Sequence, residues 1–253
     1  MQASIVKVHG VPYLKVNDEI IQPVSFRSFW PQEKTIHAFA ENGFRLMSVF
    51  PTGILCSLKV PYSQFGEVWL GEGRYDWAAM RAQMDAFVTQ APQAYFSLMV
   101  QLDTRDWFLR EHPEASNTFT QLARDAGWQV WRQSAAHWMT DLMDFLDREY
   151  PEKVFAVFIC AGGTCEWYNT ADQSAADADG VKEQVFAQWS RDAQRKLPDA
   201  QALAHASHGA FRDPHADRDA LDYWRFHNEI IADTICYFAA HVKAHTHRSR
   251  LVG

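Results

Sequence analysis

Runs of lysine and arginine are missing from this 253-residue chain, in which 24 Lys and Arg stand against 31 Asp and Glu for a formal charge of -7. Without a basic footprint, nucleic acid is excluded as a partner, and so is an anionic membrane surface. No apolar run approaches the roughly 20 residues of a membrane helix, and the opening MQASIVKVHG has no apolar signal core. Cysteine is scarce. Cys56, Cys160, Cys165 and Cys236 form no C-x-x-C pair and fall far short of a disulfide scaffold, so a reducing, cytoplasmic setting is expected. Neither G-x-G-x-x-G nor G-x-x-x-x-G-K-[ST] occurs, which removes the usual support for nucleotide binding, and no cofactor is expected. A G-x-S-x-G elbow is absent too, and Cys165 has no His at a spacing that suggests a dyad. What the chain does have is aromatic surface: 17 Phe, 10 Trp and 8 Tyr. Large core side chains account for most of these, and flat faces beside hydrogen-bonding groups also suit sugars.

Residues 4–22 read as a β-hairpin with turns at His9-Gly10 and Asn17-Asp18. PVSFRSF (23–29) is a short β-rich run, and Pro31, Ile36, Phe39, Ala40 and Gly43 mark a helix with its stop. FRLMSVF (44–50), AYFSLMVQL (94–102) and KVFAVFICAGG (153–163) are nearly continuous apolar stretches, the pattern of parallel strands covered on both faces. Between them come a loop of about 25 residues, too long for a mere connector, and a helix capped by Asp76. A second long loop (103–133) and a helix from Ser134 follow. Further helices are expected over 181–197 and roughly 219–244, before RLVG opens another strand. Alternating strands and helices, with the long loops after the strands, predict an α/β fold whose working face lies at the C-terminal strand ends. At this length the chain holds about four and a half βα units of a (β/α)8 TIM-type barrel. The expected organisation is an N-terminal β-hairpin cap (1–22) and an incomplete barrel domain (23–253), truncated at the C-terminus, whose open edge makes a homo-oligomer possible.

The sharpest chemical constellation is Cys165-Glu166-Trp167-Tyr168, just past the fourth strand. A carboxylic acid walled by two aromatics is placed to stay protonated and serve as a general acid. An exposed or Arg-paired loop Glu is the plainer alternative. Asp103, Arg105 and Trp107 follow the third strand as candidate subsite residues, or as a pair that orders the loop. Arg27 follows the first strand as a sugar or carboxylate orienter, or a structural cation. Trp30 and Trp69 are expected to pack. His205 with His208, and His241 with His245 and His247, have loose metal-ligand spacing, but they lie away from the strand end where barrel hydrolases bind metal, and no metal is expected.

PVSFRSFWPQ, GFRLMSVFPTG, GEGRYDWAAMRAQMDAF, LMVQLDTRDWFLREHPEA and FAVFICAGGTCEWY, in that order, resemble the N-terminal part of clan A glycoside hydrolases, with family 42 β-galactosidases the closest likeness. The resemblance covers about residues 4–170, with a weaker echo in DYWRFHNEI and VKAHT. It implies a glycosidase of carbohydrate metabolism acting on a carbohydrate substrate by retaining hydrolysis of β-galactosides or related β-glycosides. Glu166 then corresponds to the acid/base, with Arg27, Asp103, Arg105, Trp107, Cys165, Trp167 and Tyr168 about the sugar. Two departures stand out: Cys165 occupies the place of the usual Asn that hydrogen-bonds the sugar 2-hydroxyl, and the zinc-binding cysteine cluster of some members is missing. The nucleophile belongs at a seventh strand, which this chain lacks, and Glu229 on a helix face is a poor substitute. The chain alone is therefore expected to be inactive. A non-catalytic carbohydrate-binding or regulatory protein is the alternative.

Overall fold

Apolar runs without alternation specify strands buried on both faces, and the computed structural model, which describes residues 1–167, 180–205 and 211–253, contains them. Ser25–Phe26 (β4), Leu46–Val49 (β5), Tyr95–Gln101 (β8), Val154–Cys160 (β9) and Leu251–Val252 (β10) form one sheet in the order β10-β9-β8-β5-β4. Every pairing in it is parallel. The strands thus lie in chain order, with helical crossovers between them. The β-rich run at 23–29 contracts to two residues, because only Ser25 and Phe26 find partners on β5.

Ahead of this sheet stand Ala3–Val8 (β1), Val11–Val16 (β2) and Glu19–Ile21 (β3), an antiparallel meander rather than a single hairpin. His9 and Gly10 both take positive φ, at 50° and 83°, as a two-residue turn matched to strand twist requires. Ala3, Leu14, Val16 and Ile21 bury their side chains with Leu46, Ala156 and Leu251 of the parallel sheet. Two further small strands, Trp69–Gly71 (β6) and Arg74–Tyr75 (β7), form a hairpin inside the first long loop.

The helices are Glu33–Glu41 (α1), Trp77–Gln90 (α2), Asp106–Glu111 (α3), Thr118–Asp125 (α4), Gln129–Glu149 (α5), Gly180–Ser190 (α6), Ala200–Ala204 (α7) and Arg218–His245 (α8). Asp76 caps α2 as expected, its carboxylate accepting from the Ala79 amide at 3.0 Å. Three readings change. The second long loop holds α3 and α4, and α5 starts at Gln129, five residues before Ser134. The helix expected over 181–197 ends at Ser190, where Arg191 enters left-handed backbone (φ 57°) and Asp192 N–H bonds back to Ala187. Among the described residues no helix is long and apolar enough to cross a membrane.

The chain divides into two units. The first, residues 1–102, 134–160 and 238–253, contains both sheets and the β6–β7 hairpin. Its helical side is an aromatic stack in which Trp138 lies parallel to Trp69 and close to Tyr75 and Trp77, while Trp77 stacks on Phe145 at 4.3 Å. The second, residues 103–133 and 161–237, is built around Val185, Phe186, Leu203, Tyr223 and Phe226, with α4 packed on α6.

Candidate active site

The segment that carries Glu166 leaves β9, the fourth strand of the parallel sheet, and turns back at once. A single 3-10 turn, Gly163–Cys165, precedes Glu166, and the Trp167 amide donates to the Ala161 carbonyl at 2.9 Å. Three residues of the turn sit in left-handed backbone: Gly162 (φ 72°), Cys165 (φ 67°) and Trp167 (φ 56°). Only glycine adopts that region freely. For cysteine and tryptophan it costs on the order of 1 to 2 kcal/mol each, and it persists only where surrounding bonds over-determine it. Glu166 projects from this turn into solvent, with Trp167 and Cys165 half-buried on either side. The apolar wall expected around the carboxyl is thus not formed by the described residues; Tyr168 lies outside them.

The third strand ends against the same turn. Asp103 is wholly inaccessible to solvent, and its Oδ1 accepts from the Gly162 amide at 2.9 Å and from the Thr118 hydroxyl at 2.8 Å. Thr118 and Thr104 exchange amide and hydroxyl bonds at 2.9 and 3.1 Å, and the Thr104 hydroxyl donates to the Ser116 carbonyl. Ser116 N–H in turn donates to Asp125 at 2.7 Å. Arg105 is buried too, and its guanidinium donates to the backbone carbonyl of Asp103. Trp107 packs edge-on against Phe108 at 5.6 Å and is almost fully covered. Of the residues expected about a sugar, Asp103, Arg105, Trp107, Cys165 and Trp167 therefore share the second unit with Glu166, three of them buried.

Arg27 belongs to the first unit. It is exposed just past β4, with its guanidinium 5.1 Å from the centre of the Phe50 ring and 5.8 Å from that of Phe29. Trp69 is buried as expected, whereas Trp30, also expected to pack, is 55% exposed. Sequence reasoning missed Glu67, which organises the first long loop. One carboxylate oxygen accepts from the Thr52 hydroxyl and the Gly53 amide, the other from the Val68 and Trp69 amides, all at 2.8 to 3.1 Å. A Cβ on Gly53 would stand 2.6 Å from the Glu67 amide nitrogen, so the loop closes there only over glycine.

The histidines find other partners. His241 meets the Thr140 hydroxyl and His245 meets Asp144, each at 2.8 Å. No group of three or more His, Cys, Asp or Glu is placed to hold a metal ion among the described residues, and His208 lies outside them. An open cavity of about 490 Å³ near His245, His247, Asp144, Asp147 and Arg250 sits beside the residues that enter β9 and β10, the opposite strand ends from those that carry Glu166. Glu229 is ion-paired with Arg225 at 2.7 Å and accepts from the Trp189 indole, and these bonds hold its carboxyl below the usual range.

No protein-family model and no curated protein sequence matches the chain. Among solved structures, the β-galactosidase from Bacillus circulans sp. alkalophilus is similar in fold, with a TM-score of 0.50 at 11% identity over 90% of this chain and 35% of that one. The chain thus spans about a third of the length of that β-galactosidase. At this identity the likeness concerns the fold alone, a mixed α/β arrangement about a five-stranded parallel sheet.

Proposed function

We propose that this chain is a cytoplasmic glycoside hydrolase-like protein built as part of a (β/α)8 barrel, with family 42 β-galactosidases as its relatives. Its parent chemistry is retaining hydrolysis of β-galactosides or related β-glycosides. The observation that carries the reading is the placement of Glu166: an exposed carboxyl in a turn anchored at its base directly after the fourth parallel strand. The C-terminal strand ends are the catalytic face of such barrels. The likeness to a β-galactosidase supports the same reading.

In the mechanism Glu166 donates a proton to the glycosidic oxygen as the leaving group departs, and then, as a carboxylate, takes a proton from the water that attacks the anomeric carbon. A second carboxylate about 5 Å away on the opposite face of the sugar is needed to form the glycosyl intermediate. No residue of this chain is assigned that role, so the chain alone does not turn over substrate. Cys165, Trp167 and Tyr168 are the candidates to meet the sugar beside Glu166, and Arg27, in the first unit, is carried only as a candidate sugar or carboxylate orienter. Cys165, in place of an amide side chain before Glu166, favours one other reading, a carbohydrate-binding protein without catalysis.

Azide separates the possibilities, because a small anion can attack the face left open by a missing nucleophile. With nitrophenyl β-galactoside, the expected result is no release of nitrophenol in buffer and slow formation of α-galactosyl azide when azide is added, abolished by Glu166→Gln. Turnover in plain buffer would refute the missing nucleophile. Saturable binding that survives Glu166→Gln, with no azide product, would establish the binding-protein reading; neither binding nor product would overturn both.

A further inference from the structure

The turn that presents Glu166 contains a tryptophan and a cysteine in left-handed backbone, and the amide contacts from Cys165 to the Gly162 carbonyl and from Glu166 to the Gly163 carbonyl are long, at 3.4 Å. At 3.4 Å such bonds are weak. The short bonds lie at its base: Trp167 N–H to the Ala161 carbonyl, and Gly162 N–H to the Asp103 carboxylate. Asp103 comes from the end of the neighbouring strand, 59 residues earlier in the chain. The main-chain ladder between these strands continues one step past β8, where Leu102 N–H donates to the Cys160 carbonyl at 2.7 Å. Beyond that the carboxylate of Asp103 takes the part a backbone carbonyl would otherwise play. Its own orientation is fixed by the Thr118 hydroxyl, which Thr104 N–H fixes in turn. Amide bonds to a charged acceptor are the strong class, and full burial removes the competition of water.

Asp103 has no solvent-facing surface from which to meet a sugar, and it lies one residue-to-residue bond from the turn that carries the acid. We infer that Asp103 is a positioning residue, which holds the Gly162 amide and through it sets where the Glu166 carboxyl stands relative to the leaving oxygen. The inference rests on the proposed role of Glu166 as acid/base. General acid catalysis demands this kind of placement, since a proton donor must come within hydrogen-bond reach of the departing atom.

The test joins a measurement that needs no sugar to one that does. Asp103→Ala and Thr118→Val are expected to speed hydrogen exchange at the Gly162 and Trp167 amides while the amides of α6 and α8 keep their protection. Asp103→Asn, whose carbonyl oxygen can still accept both bonds, should stay near the parent chain. In the azide reaction, Asp103→Ala is expected to slow a nitrophenyl substrate on the order of 100-fold at unchanged KM. It should barely touch a dinitrophenyl substrate, whose leaving group departs without a proton. Unchanged exchange at Gly162 would overturn the inference outright. Faster exchange with equal loss on both leaving groups would make Asp103 merely structural, leaving the proposed function intact. Faster exchange with no azide chemistry in the parent chain would bring down the role of Glu166, and the inference with it.

Discussion

Single carboxylates organise two of the segments that follow strands of the parallel sheet, and each does so by accepting from backbone amides and a threonine hydroxyl. Glu67 accepts four such bonds in the loop after β5, from Thr52, Gly53, Val68 and Trp69. Leaving buried donors without a partner costs about 1 to 3 kcal/mol apiece, reduced where water can enter. Glu67→Ala is therefore expected to lower stability by about 2 to 4 kcal/mol in urea denaturation, and Glu67→Gln by less, since one carbonyl oxygen survives. Equal stability of the alanine variant and the parent chain would show that the loop does not depend on this residue. Such carboxylates are hard to read from sequence. Glu67 sits in an ordinary Gly-Glu-Val context, and Asp103 takes its partners 15 and 59 residues away, where no spacing rule reaches. The position of Glu166 just past a strand was legible for the opposite reason: the aromatic run after a long apolar strand marks a strand end directly in the sequence.

Elements long enough to show a pattern were also legible, α2, α5 and α8 by their helical period and β5, β8 and β9 by unbroken apolar runs. The six, eight and five residues of α3, α4 and α7 span too few turns to show one, and the β6–β7 hairpin has three and two residues. The hairpin is held by packing rather than by ladder length. Trp69 on β6 lies nearly parallel to Trp138 of α5 at 6.0 Å, and Tyr75 on β7 lies 5.2 Å from the same ring while its hydroxyl donates to Asp141. Burial and that carboxylate push the Tyr75 hydroxyl well above its usual range. Trp138 is wholly buried, so Trp138→Ala removes the surface on which the hairpin and α2 both rest. A loss of about 3 to 5 kcal/mol is expected, as for other buried large-to-small changes, with Trp138→Phe losing less. Calorimetry checks the ranking; an alanine variant as stable as the phenylalanine one would mean the stack contributes little beyond filling space.

Across the whole molecule the alternation of strands and helices could be read from the sequence because it repeats on the scale of the chain, but the division into two units could not, since α5 and α8 each contribute residues to both. The net charge of -7 sets no strong pH limit by itself, because surface ion pairs such as Arg225–Glu229 and Arg81–Glu149 are worth little each. Glu149 and Glu229 have carboxyls held below their usual range, so their contribution is present above about pH 4.5 and fades only as the solution becomes more acid than that. Two histidines act earlier. Burial against Tyr223 and Trp224, with the Lys182 ammonium nearby, pushes His227 down to about 4. His241 is also lowered, by burial first and then by His245 and His137. For both, the folded state favours the neutral ring, so the unfolded chain binds more protons below the ordinary histidine value. Stability is then complete above about pH 6.5 and drains away as pH falls toward 4. The His227 shift alone corresponds to about 3 kcal/mol over that window. Urea midpoints measured from pH 7 to pH 4 should fall steeply for the parent chain and less steeply for His227→Phe, whose ring can keep the stacking on Tyr223 without a proton to gain. Parallel curves for the two proteins would place the acid sensitivity elsewhere than at His227.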